Sequence, residues 1–175
     1  EEQPSGTLSA SLGYSQGAGL IFALSVSQNN FLGTGNKVAV NLSRSDTSDA
    51  YNLSFVDPYF TMDGISRGYN FYYRKTKLDS LNVSNYVTDS RGGNISFSYP
   101  IDETKNISMA FGADQTNITT GTFASQVVND FVSQNGNSIT TYTGSLAWTY
   151  NTLNRGVFAD RGASQRVGLD FALPG

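Results

Sequence analysis

The residue types that most often perform chemistry are sparse in this chain. It contains no His and no Cys, which excludes His-based catalysis, His-ligated metals and thiol chemistry within the segment. Three charged residues, Asp114, Arg166 and Asp170, fall on the polar side of alternating stretches. Ion pairing or hydration explains such side chains without any reaction. We therefore expect no enzymatic activity, no cofactor and no metal site.

Two other motifs have a formal chemical meaning that their surroundings weaken. Asn-x-Ser/Thr triplets such as Asn41-Leu42-Ser43 match glycosylation acceptors, but period two places this Asn and Ser on one face of a strand. Gly33 and Gly35 resemble a phosphate-binding loop, yet no helix pattern follows to supply an N-terminus. Net charge is −3, from 11 basic and 14 acidic residues. With no basic block, nucleic acid is not expected as a partner.

The composition is unusual for a soluble domain of 175 residues. Only 14% of the residues are charged, whereas the chain holds 10 Tyr, 11 Phe and 18 Gly. No window contains the roughly 18 consecutive apolar residues that a transmembrane helix needs. Helical membrane spans are therefore excluded, but strands of about 10 alternating residues remain compatible with a membrane.

Alternation of apolar and polar residues runs through most of the chain. Tyr51–Phe55 and Tyr69–Tyr73 flank a turn in which Pro58 stops the ladder and Asp63-Gly64 is expected to supply positive-φ residues. Similar stretches recur before and after this hairpin, which predicts about nine strands and no helix. Their apolar positions begin and end at Leu8–Tyr14, Leu20–Val26, Val38–Leu42, Tyr51–Phe55, Tyr69–Tyr73, Ile95–Tyr99, Ile107–Ala113, Tyr142–Tyr150 and Val167–Leu173.

Two architectures fit this alternation, a soluble β-sandwich and a transmembrane β-barrel. The polar face consists of Ser, Thr, Asn and Gly rather than the Lys and Glu of a soluble surface. Long polar loops, at residues 75–92 and 115–137, are expected at one end and compact turns at the other, as in outer-membrane barrels. Aromatic residues near strand ends are expected to anchor the barrel at the membrane interface: Tyr59, Phe60, Tyr99, Trp148 and Tyr150. We predict an all-β, antiparallel, up-and-down transmembrane β-barrel.

Four motifs in a fixed order resemble one known family. They are Asn30–Gly35, Asp57–Thr61 with Asp63-Gly64, Tyr99–Ile101 with Glu103, and Trp148–Asn151 followed by Arg155-Gly156 and Phe158. In this order and spacing they resemble the barrel domain of the BamA family, the outer-membrane insertases of Gram-negative bacteria. The resemblance covers nearly the whole chain.

The resemblance implies an architecture and a set of partners. Residues 1–175 would form the N-terminal part of a sixteen-stranded barrel, without the POTRA domains that precede it in the family. It implies residence in the bacterial outer membrane, contact with the lipid bilayer, and client outer-membrane proteins. BAM lipoproteins would be partners through the absent POTRA domains.

The same resemblance gives the first strand a functional role. In the family this strand pairs weakly with the last one, so that the seam opens sideways as a lateral gate. Its edge then templates a client's strand through backbone hydrogen bonds. The residues implied are Thr7, Leu8, Ser9, Ala10, Ser11, Leu12, Gly13 and Tyr14. The alternative is a passive pore or polypeptide-secretion barrel of a related family.

Overall fold

The described part of the chain folds into nine strands and two short helical elements. The computed structural model describes residues 6–77, 86–121, 124–155 and 160–175. The strands are β1 Gly6–Ser15, β2 Gly19–Gln28, β3 Lys37–Arg44, β4 Ser48–Asp57, β5 Ser66–Lys77, β6 Tyr86–Pro100, β7 Lys105–Thr120, β8 Ser138–Asn151 and β9 Ser164–Pro174. A 3-10 turn spans Phe31–Gly33, and one α-helix, α1, spans Gln126–Asn135.

All nine strands belong to a single antiparallel sheet in chain order. Each strand pairs with the next one along the chain, from β1 to β9. Short connections favour this arrangement because neighbours in sequence become neighbours in the ladder. The predicted all-β, up-and-down antiparallel fold is confirmed. Among the described residues β1 and β9 do not pair with each other.

The register keeps apolar and polar residues in separate rows across the sheet. One row is apolar: Leu8, Val26, Val40, Leu53 and Phe71. The neighbouring row is mostly polar: Ser9, Ser25, Asn41, Asn52, Tyr72, Gly92, Asp114 and Thr141. A slip of one residue would exchange the two faces of a strand. We call these surfaces the apolar face and the polar face.

The polar face is concave and the apolar face is exposed. Residues of β1 to β8 together line one cavity of about 860 Å³ on the polar side. On the other side Leu8 is 73% exposed, Leu169 65% and Phe71 56%, and Ala147 is the sole buried hydrophobic residue described. A sandwich would bury its apolar side chains, whereas a barrel turns them toward lipid. The observed burial therefore rules out the soluble sandwich.

The expectation of no helix was wrong, because α1 lies within the predicted loop 115–137. Ser125 caps this helix by accepting a hydrogen bond from the Val128 backbone N–H at 3.5 Å. Gly136, with φ +79°, ends it. A Ser before the helix and a left-handed Gly after it are ordinary helix signals. No helix in the described ranges is long and apolar enough to span a bilayer.

The predicted loop lengths also need correction. Strand β5 continues to Lys77, β6 starts at Tyr86 and β7 continues to Thr120, so much of both predicted loops is strand. The connection between β3 and β4 is only residues 45–47. Polar strands pair their backbones as well as amphipathic ones do, but they carry no apolar alternation to reveal them. The predicted contrast between long loops and short turns is therefore weaker than expected.

The central hairpin matches the prediction except at one residue. Strand β4 ends at Asp57, directly before Pro58, and β5 resumes at Ser66. Gly64 has φ +81°, but Asp63 is not among the described residues with positive φ. One left-handed residue is enough here because the connection is longer than a two-residue turn. Residues 156–159, which include the Gly156 and Phe158 of the family motif, lie outside the described residues.

Candidate functional site

Strand β1 is an edge strand that is open along its whole length. All ten residues from Gly6 to Ser15 are exposed, with Tyr14 at 76%. In the described part of the chain β1 pairs only with β2. Alternate residues of an antiparallel strand point their N–H and C=O groups away from that partner. The strand therefore presents a row of backbone donors and acceptors along one side.

The predicted edge residues Thr7 to Tyr14 all lie within β1, and their side chains differ between the two faces. Ser9 and Ser11 line the polar cavity, whereas Leu8 and Leu12 lie on the apolar face. A Cβ added at Gly13 would meet no atom within 4 Å, so this position contributes little packing. The Thr7 and Ser27 hydroxyls are 2.7 Å apart and link the start of β1 to β2. An edge of this kind can bind another strand through its backbone.

The five predicted aromatic anchors lie at one end of the sheet, which we call the aromatic end. Tyr59 and Phe60 follow β4, Tyr99 lies near the end of β6, and Trp148 and Tyr150 lie near the end of β8. The Trp148 and Tyr150 rings stack with centroids 6.1 Å apart. Tyr59 is 80% exposed. Their role at the membrane interface stays a prediction.

Arg67 contacts Phe60 at the aromatic end, and the sequence analysis did not identify this residue. Its guanidinium carbon lies 3.8 Å from the centroid of the Phe60 ring and 5.3 Å from that of Tyr69. Its Nη2 atom is 3.8 Å from the Asp57 carboxylate. Register explains the pair, because Asp57 and Arg67 are directly opposite at the mouth of the hairpin. The opposite charges flanking the Pro58 turn were the available signal.

The turn between β6 and β7 is organised by one carboxylate. Asp102 accepts hydrogen bonds from the Thr104 hydroxyl at 2.7 Å and the Thr104 backbone N–H at 2.8 Å. The Lys105 ammonium also donates to it at 3.0 Å. These hydrogen bonds, with that of the Thr104 hydroxyl foremost, hold the pKa of the Asp102 carboxyl well below its usual range. Asp102 is therefore ionised throughout the neutral range.

We call the opposite end of the sheet, which carries α1, the helix end. The apolar face has charged residues there that the sequence analysis did not identify. Asp49 lies 3.5 Å from Arg44 Nε and 3.4 Å from Lys77 Nζ. Tyr51 and Tyr73 stack beside this cluster with centroids 5.9 Å apart. The polar extension of β5 beyond Tyr73 hid the cluster, since Lys75 and Lys77 fell within a predicted loop.

The charged residues on the polar face do not converge on a reactive group. Asp114 lines the cavity of about 860 Å³, whereas Asp170 lines a separate one of about 460 Å³. Arg166 is opposite Thr149 in the β8–β9 ladder. Among the described residues no group of three or more Asp or Glu side chains could hold a metal ion.

The comparison with known families decides the identity of this sheet. The sequence profile of the Omp85 superfamily domain matches residues 30–175. The chain belongs to the Omp85 superfamily. As an Omp85 chain with outer-membrane relatives, it is located in the bacterial outer membrane, as the sequence predicted.

Two relatives of this Omp85 chain carry the name outer membrane protein assembly factor BamA. The one from Neisseria meningitidis serogroup B is 33% identical over 99% of this chain, which corresponds to 23% of the relative. The one from Buchnera aphidicola is 27% identical over 67% of this chain and 19% of the relative. The chain thus spans less than a quarter of the length of these curated relatives.

Two solved structures have a similar fold. BamA from Haemophilus ducreyi lacking POTRA domains 1–3 superposes with a TM-score of 0.70 at 29% identity, covering 100% of this chain and 35% of that one. A loop-deletion variant of OmpT, an outer membrane protein of Vibrio cholerae, gives a TM-score of 0.50 at 12% identity and covers 98% of this chain and 58% of that one. The second similarity supports the fold alone. The predicted resemblance to BamA is confirmed.

Proposed function

We propose that this Omp85 segment is the N-terminal part of an insertase barrel that assembles β-barrel proteins into the outer membrane. The observation that carries the proposal is the 33% identity to an assembly factor over 99% of this chain, in which β1 lies at one edge of the sheet. The segment acts without enzymatic chemistry. Its role is to offer a strand to which a client can pair.

Backbone pairing suits a protein that must accept many clients. An antiparallel ladder uses N–H and C=O groups, which every non-proline residue carries. The short side chains of Ser9, Ala10 and Ser11 leave the edge sterically accessible. The alternation of polar and apolar residues along β1 matches that of any transmembrane strand. Leu8 and Leu12 would continue the apolar face of the incoming strand toward lipid. The edge thus selects for strand pattern rather than for particular residues.

The implied partners follow from the same proposal. Client outer-membrane proteins pair at β1, the lipid bilayer contacts the apolar face, and the anchors Tyr59, Phe60, Tyr99, Trp148 and Tyr150 lie at the interface. BAM lipoproteins bind POTRA domains, which this segment does not contain. We also propose that the helix end faces the outside of the cell.

A passive pore or polypeptide-secretion barrel is the second candidate. The polar cavity of about 860 Å³ favours it, because a water-lined concave face is what a conducting barrel needs. The two candidates differ in their demand on β1. A pore needs β1 closed permanently against another strand, whereas an insertase needs it to exchange partners.

A proline placed in the middle of β1 separates these functions. Ser11→Pro removes one backbone donor and fixes φ, whereas Ser11→Ala removes only a hydroxyl on the polar face. Both variants are made in the full-length protein and compared at equal levels of folded barrel. We expect the proline to impair insertion of a radiolabelled client severalfold and the alanine to leave it unchanged. Normal insertion by a folded proline variant would contradict the templating role.

Proline in any ladder also weakens its own sheet, so the position needs a control. Ala147→Pro lies in β8, far from the proposed edge, and tests the general cost of a broken ladder. We expect it to lower the folded level without lowering client insertion per folded barrel. Equal insertion defects per folded barrel at positions 11 and 147 would show a general effect of a broken ladder and would contradict a specific role of β1.

A further inference from the structure

The apolar face carries a group of charged residues just beyond its apolar stretch at the helix end. We call this group the outer charged patch; it comprises Arg44, Asp49, Lys75, Lys77, Asp89 and Arg91. Register places them side by side, because Asp49 is opposite both Arg44 and Lys75, and Lys75 is opposite Asp89. Arg91 is opposite Tyr73. Period two puts all six on the face that carries Phe71 and Leu53.

Stacked tyrosines mark where the apolar stretch stops. Tyr51 and Tyr73, with ring centroids 5.9 Å apart, lie between the charged residues and the apolar residues of β4 and β5. On β6, Arg91 lies level with Tyr73. On β5 the face reads Tyr69, Phe71 and Tyr73, and then changes to lysine. Tyrosine rings concentrate where hydrocarbon meets headgroups. The outer charged patch therefore lies at the level of the lipid headgroups rather than in the hydrocarbon.

The patch carries more positive than negative charge. Four cations face two carboxylates, which leaves a net charge of +2. Asp49 is shared between Arg44 and Lys77, at 3.5 and 3.4 Å. Asp89 accepts a hydrogen bond from the Tyr73 hydroxyl at 3.3 Å. Arg44, whose side chain is 73% exposed, and Lys77 together form the first positive centre of the patch.

Arg91 forms the second positive centre of the patch. Its Nε and Nη2 donate to the side-chain oxygen of Gln115, at 2.9 and 2.6 Å. That partner is neutral, so it orients the guanidinium without cancelling its charge, and Nη1 is not used in these bonds. The strand that carries Asp49 and the strand that carries Arg91 are two apart, or roughly 10 Å at the usual strand spacing.

We propose that the outer charged patch binds an outer-leaflet glycolipid whose sugar headgroup carries two phosphate groups. Arginine fits phosphate through forked donors, and lysine binds it as a point charge. Two positive centres separated by two strands suit a headgroup with two phosphates on a rigid sugar scaffold. A phospholipid with one phosphate would engage only one centre. This inference rests on the proposed orientation of the helix end toward the outside of the cell, but not on client pairing, because β3 to β6 are not the β1 edge.

The test compares a variant that loses positive charge from the apolar face with a control that loses the same amount of charge from the polar face. The variant Arg44→Gln/Arg91→Gln loses one cation from each of the two positive centres. The control Arg74→Gln/Arg166→Gln loses two cations from the polar face, and Arg74 is the immediate neighbour of Lys75. Full-length protein in phosphatidylcholine nanodiscs is titrated with diphosphoryl lipid A, monophosphoryl lipid A or phosphatidylglycerol, and bound lipid is counted by native mass spectrometry.

We expect each patch cation to contribute roughly fivefold to the affinity, and the pair therefore roughly 25-fold. The control should stay within about twofold of the wild-type protein, given that its charges face away from lipid. Wild type should prefer diphosphoryl to monophosphoryl lipid A, and the patch variant should lose that preference. If the double variant fails to show heat-modifiable migration of a folded barrel, Arg91→Gln alone should still cost about fivefold.

Three results would overturn the proposal. The patch variant binding diphosphoryl lipid A as tightly as wild type would show that these cations do not contact it. Equal losses in the patch variant and its control would show a response to net charge only. Phosphatidylglycerol binding as tightly as diphosphoryl lipid A, or displacement of lipid A by millimolar inorganic phosphate, would refute recognition of a two-phosphate lipid headgroup.

Discussion

Placing an arginine at Val40 measures directly which face of the sheet meets lipid. Val40 is the central residue of the apolar run Val38, Val40 and Leu42 on β3, and it is opposite Val26 and Leu53 on the flanking strands. Its side chain is therefore surrounded by aliphatic groups on both sides along the sheet. An arginine there must enter hydrocarbon near the middle of the bilayer.

The expected cost is about 2–4 kcal/mol for arginine near the bilayer midplane. That corresponds to roughly a 30- to 700-fold change in the folding equilibrium constant, at about 1.4 kcal/mol per tenfold. The matched control is Asn41→Arg, one residue further along β3, whose neighbours Ser25 and Asn52 lie on the polar face. There the arginine enters a hydrated cavity, so we expect a cost below about 1 kcal/mol.

The assay is urea unfolding of the full-length protein in lipid vesicles, followed by the gel shift that distinguishes folded from unfolded barrels. The two variants should differ in free energy of unfolding by at least about 1 kcal/mol, with Val40→Arg the less stable. Equal costs at positions 40 and 41, or a larger cost at position 41, would refute the assignment of the apolar face to lipid.

Three further perturbations test other parts of the structure. Arg67→Gln should lower stability by about 1–2 kcal/mol through loss of its contact with Phe60, and Arg67→Lys should lose less, since it keeps the charge; urea unfolding measures both, and equal stability of all three proteins would contradict the contact. Protease added outside intact cells should cut within α1, residues 126–135, but not within residues 58–65, and the reverse pattern would invert the orientation. For Asp102, the folded-state pKa is lowered, so its stabilisation is present above the ordinary carboxyl pKa and is lost as pH falls toward the folded value. Asp102→Asn should therefore be less stable than wild type at pH 7, and the difference should shrink below about pH 4; a difference unchanged by pH would contradict the interaction.

The amphipathic strands were predictable because apolar and polar side chains alternate between their two faces. Leu8 to Tyr14 and Val167 to Leu173 alternate over their whole length, and both stretches appear as strands in the structure. The hairpin at Pro58 and Gly64 was predictable because proline ends a ladder and glycine permits positive φ. Nine strands in simple succession then allow little choice other than an up-and-down sheet.

The features that the sequence analysis did not identify share one physical cause. Strands that are polar on both faces lack the alternation of apolar and polar residues by which strands are predicted. Lys75 and Lys77 lie in β5, and Asp89 and Arg91 lie in β6, yet both faces of these extensions are polar. Their ladder is held by backbone hydrogen bonds, which leave no trace in side-chain pattern. The outer charged patch and the Asp57–Arg67 pair depend on register across strands, and register was fixed only by the structure.

The central claim is that β1 pairs with a client strand through its backbone, and site-specific disulfide formation tests it most directly. The segment contains no Cys, so single cysteines at successive positions from Thr7 to Tyr14 introduce the only thiols in this part of the protein. Each is combined with a cysteine series along the terminal strand of a stalled client. Antiparallel or parallel pairing predicts crosslinks in one register, with the partner position shifting by one residue for each step along β1. Crosslinks that fail to follow a register, or that form equally well from the polar face of β5, would contradict strand templating at β1.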